Sequence, residues 1–161
     1  MRPVGPVEAA LGVSILGSVL AVGVPAFSRN LRASRLVEPV EGLGRLAARA
    51  TALAALRPVP DAYPETVGLT PEHVPRGAPA LDPPGSWDHP TWRALDFSFT
   101  APHSFSFSFE SAFEPGRANF RAAAEGDLDG DGQRSSFEIT GEAREGAEPV
   151  TNLLESRREV E

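Results

Sequence analysis

The chain has 161 residues, with 15 basic against 22 acidic for a net charge of −7. That length fits one domain with a modest core, and the acidic balance without a basic stripe argues against nucleic acid as a partner. Cysteine is absent and every basic residue is arginine, so disulfides, thiol catalysis and cysteine metal sites are excluded together.

Residues 1–27 are read as a leader and a membrane-spanning or filament-core helix. Ala9 to Phe27 carries no charge, and as a helix it would cover about 28 Å, near the roughly 30 Å hydrocarbon thickness of a bilayer. Ala10, Ser14 and Ser18 recur every fourth position with glycines between, a spacing that lets helices approach closely in lipid. A cleavable secretory signal ending near Val24-Pro25-Ala26 is the competing reading. Residues 28–56 follow as an amphipathic helix, because Leu36, Val40, Leu43, Ala47, Ala50 and Ala54 form an apolar stripe at alternating spacings of four and three. Residues 57–96 are rich in proline and read as an extended surface loop, with Tyr63, Trp87 and Trp92 available to pin it.

Residues 97–141 carry the two-residue period of strands. Phe105, Phe107 and Phe109 alternate with serines, so one face is aromatic and should cover the helix stripe. Pro115-Gly116 marks a turn. Phe120, Ala122 and Ala124, then Phe137 and Ile139, repeat the pattern on both sides of an acidic loop. The expected fold is α+β: a long N-terminal α-helix, membrane span plus amphipathic half, packed on a small antiparallel β-sheet of three or four strands. Residues 142–161 read as a charged, solvated tail, helical or frayed.

The strongest chemical signal is that loop. Asp127, Asp129, Asp131, Gly132 and Glu138 satisfy the twelve-residue calcium pattern D-x-[DN]-x-[DN]-G-x5-E. A hard cation takes six to eight oxygens. Three aspartates on one side, a bidentate Glu138 on the other, the Gln133 carbonyl and Ser135 directly or through water would supply them. Since strands flank the loop, the expectation is a structural Ca2+ clip holding a hairpin; the bland alternative is a solvated acidic turn. Affinity on the order of 10⁻⁴ to 10⁻³ M is expected for a single loop. His73, His89 and His103 lie in separate segments and read as surface or capping residues, with no serine or carboxylate at a triad spacing.

Glu8 at the head of the apolar run, Pro25 seventeen residues later, an amphipathic extension and an aspartate-rich loop in the carboxyl half together resemble a type IV pilin or pseudopilin. The resemblance implies that Glu8 neutralises the amino terminus of a neighbouring subunit. It implies a non-enzymatic structural subunit of a pilus or related filament, held in the bacterial inner membrane and then assembled at the cell surface or in the periplasm. Partners would be identical or related subunits docking through the N-terminal helix, with no small-molecule substrate. The alternative is a secreted or membrane-anchored calcium-dependent binding domain that does not polymerise.

Overall fold

The computed structural model describes Ala21 and residues 36–158. Glu8, Pro25 and, Ala21 apart, the apolar run lie outside the described residues.

Residues 36–54 form helix α1. Its buried positions are Pro39, Gly42, Leu43, Leu46, Ala47, Ala50 and Ala54, three and four apart as one face of a helix requires. Val40, expected in the stripe, is 47% exposed. Gly42 and Leu46 take its place, because the ring of Phe107 reaches to within 2.5 Å of where a Gly42 Cβ would sit. The missing side chain is what lets the helix lie against that ring.

After a 3-10 turn at Val59–Asp61 come strand β1 (Val67–Thr70) and the short helix α2 (Pro90–Ala94). His89 caps α2 by accepting from the Thr91 N–H at 3.3 Å, and Pro90 at the first helical position has no N–H needing a partner. The remaining strands are β2 (Phe105–Glu114), β3 (Arg117–Gly126), β4 (Ser135–Arg144), β5 (Val150–Thr151) and β6 (Glu155–Arg158). They form a six-stranded antiparallel sheet in the order β1-β2-β3-β4-β5, with β6 also paired to β4. A tight turn at Pro115 and Gly116 joins β2 to β3, and Gly116 has φ +77, which favours glycine.

Strand alternation separates the two faces chemically. Paired positions Phe107, Ala124 and Phe137 share the apolar face with Phe109, Ala122 and Ile139. The opposite face carries cross-strand ion pairs: Arg121 with Glu138 at 2.8 Å and Glu110 at 3.3 Å, and Arg117 with Glu142 at 2.8 Å. Arginine suits these pairs because its planar fork can serve two carboxylates at once. The proline-rich segment is tied down by Tyr63 edge-on to Phe120 at 5.0 Å, and by Trp92 Nε1 donating to Thr70 Oγ1 at 2.9 Å.

Two expectations are corrected. The described chain is mostly β, with one helix of 19 residues beside the six-stranded sheet, and not a long N-terminal helix on a small sheet. The sheet is larger because β1 arises inside the proline-rich segment and the charged tail supplies β5 and β6, which pair along an edge of β4. The inner-membrane localisation is likewise corrected: among the described residues no helix is long and apolar enough to cross a membrane. Helix α1 itself, the expected amphipathic half, is unsuited to a bilayer, since Glu38, Glu41, Arg45 and Arg49 interrupt it.

Candidate metal centre

Strands β3 and β4 pair without a break as far as Gly126↔Ser135, so residues 127–134 must turn the chain between them. Asp127 makes that turn specific. Although a carboxylate, it is only 2% exposed, and both its oxygens accept hydrogen bonds: Oδ1 from the Gly130 N–H at 2.9 Å, Oδ2 from the Gly132 N–H at 3.1 Å and Arg76 Nε at 3.2 Å. Gly130 and Gly132 have φ of +79 and +92, where side chains with a Cβ are strained. The two glycines thus let the backbone curl around Asp127 and present its N–H groups inward.

The next carboxylates repeat the device in the open. Asp129 Oδ1 accepts from the Asp131 N–H at 3.1 Å, and Asp131 Oδ1 from the Gln133 N–H at 2.7 Å. These local side-chain to backbone bonds replace the ladder that the strands have given up. One carboxylate oxygen from each of Asp127, Asp129 and Asp131 lies within 4.8 Å of the others, a grouping that could hold a metal ion. Calcium–oxygen bonds of about 2.3–2.6 Å put ligands on opposite sides of the ion about 5 Å apart, so three oxygens this close fit around a single cation.

The other sequence-derived ligands stand differently. Glu138 lies within β4, on the ion-pair face, and Oε2 accepts from Arg121 Nε at 3.1 Å and from its terminal nitrogen at 2.8 Å. That bond is the first cause of the upward shift of the Arg121 guanidinium. Gln133 turns its side-chain amide to Asp131 Oδ2 at 3.0 Å. Ser135 is 3% exposed, and its buried Oγ has no hydrogen-bond partner among the described residues. The structure therefore brings Asp127, Asp129 and Asp131 together and pairs Glu138 Oε2 with Arg121.

The chain matches no family model, no curated protein and no solved structure.

One residue of the centre carried no sequence signal. Arg76 belongs to the proline-rich segment, 51 residues before Asp127, and the neighbouring Gly77 N–H donates to the Asp127 carbonyl at 2.7 Å. Gly77 and Gly130 are also neighbours, a Cβ on Gly130 lying at contact distance, 3.6 Å, from Gly77 Cα. The loop is thus braced from outside the hairpin as well as from within. Of the histidines, His73 is exposed and His89 caps α2, but His103 is 2% exposed and neither a surface nor a capping residue.

Proposed function

We propose that this protein is a non-enzymatic calcium-binding module, in which the ion fixes the 127–134 loop and with it the junction of β3, β4 and the 76–77 segment. The observation that carries the reading is the convergence of three carboxylate oxygens within 4.8 Å at a turn whose first aspartate is already oriented by three donors. Preorganisation of this kind lowers the ordering cost of binding. Arg76 offsets only the Asp127 charge, so the gathered carboxylates still repel one another at short range; a divalent cation removes that repulsion and cross-links the turn.

Asp127, Asp129 and Asp131 would hold the ion, with the rest of the shell from backbone oxygens and water. Two features support a non-catalytic role: His103 has both ring nitrogens engaged, and His89 is spent on a helix cap. Assembly into a filament would depend on Glu8 and Pro25, and no contact of the described residues bears on it. The direct test is a calcium titration of the full chain followed by amide NMR. The Gly130 and Gly132 resonances should move in a saturable manner, with a dissociation constant on the order of 10⁻⁴ to 10⁻³ M, while those of β2 stay in place. Unchanged loop resonances at millimolar calcium would refute the reading.

A further inference from the structure

Outside the aspartate loop, His103 is a buried ionisable group held on every side. Its ring stacks on Phe99 at 4.5 Å between centroids and meets Trp87 edge-on at 6.0 Å. Both nitrogens face acceptors. Nδ1 lies 2.7 Å from the Phe105 carbonyl, and Nε2 lies 2.7 Å from Asp82 Oδ2. A carbonyl oxygen can only accept, so Nδ1 carries a hydrogen. Asp82 Oδ2 also accepts the Trp87 indole N–H at 2.6 Å, and as a carboxylate oxygen it can only accept from Nε2 too. A neutral imidazole has one N–H; only the imidazolium has the two that this arrangement uses.

The surrounding charges agree with a cation here. Glu38 Oε1 lies 3.9 Å from Nδ1, while Arg45 sits over the Phe97 ring at 5.0 Å and the Phe99 ring at 6.0 Å. Two carboxylates therefore face the imidazole, against one guanidinium spread on aromatic rings. Burial raises the Glu38 carboxyl, opposed by the Ser104 and Phe105 N–H groups and then by the charge of His103. The backbone places this cluster at a junction: Ala80 N–H donates to the His103 carbonyl at 2.9 Å, and His103 N–H returns the bond at 3.0 Å. Asp82 and Trp87 belong to the proline-rich segment, whereas His103 leads directly into β2.

We propose that His103 is a proton-held clasp, a buried imidazolium that fastens residues 80–87 to the start of β2 and releases them when it loses its proton. Deprotonation would set a bare Nε2 lone pair against the Asp82 carboxylate, two acceptors with no hydrogen between them, inside a site closed to water. The clasp is independent of the calcium reading, since none of its groups belongs to the aspartate loop.

The experiment uses the full chain labelled with nitrogen-15. Wherever Ala80 is protected from exchange, both ring nitrogens of His103 should carry a hydrogen, and a bare nitrogen in that state would overturn the proposal. As pH rises and the ring loses its proton, protection of the Ala80 amide, corrected for intrinsic exchange, should fall about tenfold, while Ala122 in β3 keeps its protection. Equal Ala80 protection on both sides of the ring's titration would also overturn it. In Asp82→Asn the pH-dependent fall should vanish; a fall of the same size in that variant would assign the effect to another group.

Discussion

The sheet beneath α1 and the loop that leaves it at Asp127 adjoin one another, yet they are held by opposite means. Under α1 the contacts are dry: Leu43, Leu46, Phe105, Phe107 and Phe109 are each 0% exposed, and their stability comes from apolar area and close packing. In the loop the same chain gathers three carboxylates and satisfies them with its own N–H groups. The first region should be indifferent to ions in solution and the second governed by them. A protein can thus keep a stable body while one edge answers to its surroundings.

The comparison breaks most visibly in the core. Phe107→Ala removes a ring that touches both α1 and the Phe97–Phe99 cluster, and should cost about 3–5 kcal/mol in chemical denaturation, equally with calcium and with chelator. Gly126→Ala probes the place where the two regions meet. Its Cβ would come within 2.6 Å of the buried Phe105 ring, so a loss of about 1–3 kcal/mol is expected; a neutral result would mean that the strand end yields easily.

Glu138→Gln separates ion pair from metal ligand. It should cost about 1 kcal/mol through Arg121, which is 35% exposed and so partly screened, while the calcium-induced shift stays as in the wild type. A lost calcium response would return Glu138 to the ligand shell. Tyr63 gives the smallest effect and a clean one, since it is the sole tyrosine. Burial, then the Glu142 charge, pushes its phenol up to about 12 from 10.0. The raised value means its contribution is intact below pH 10.0 and is lost as pH climbs towards about 12. Phenolate absorbance of the folded protein should therefore appear near the upper value, and ionisation near 10.0 would place the ring in water.

Much of the sheet was legible because strand burial leaves a two-residue signature: Phe105, Phe107, Phe109 and Phe137 read as one face and are buried on it. The aspartate spacing was legible for a similar reason, as Asp127, Asp129 and Asp131 sit within one local turn. Glu138 belongs to two patterns at once. The pattern counts it as the twelfth loop residue, but β4 begins at Ser135, and strand alternation commits Glu138 to the ion-pair face with Arg121. Arg76, Asp82 and His103 act through contacts between segments far apart in the chain, which no window of sequence displays. Gly42 was hidden differently, because its role is the absence of a side chain under Phe107.

The most direct test of the calcium account is the thermal midpoint of the full chain with calcium about a hundredfold above its dissociation constant, against the same sample in chelator. The ion should add about 2.7 kcal/mol, or roughly 8 °C at this size, and Asp127→Asn should abolish that difference while Phe107→Ala retains it at a lower midpoint. If calcium leaves the wild-type midpoint where the chelator does, the loop is an acidic turn held by its own hydrogen bonds and the calcium account is wrong.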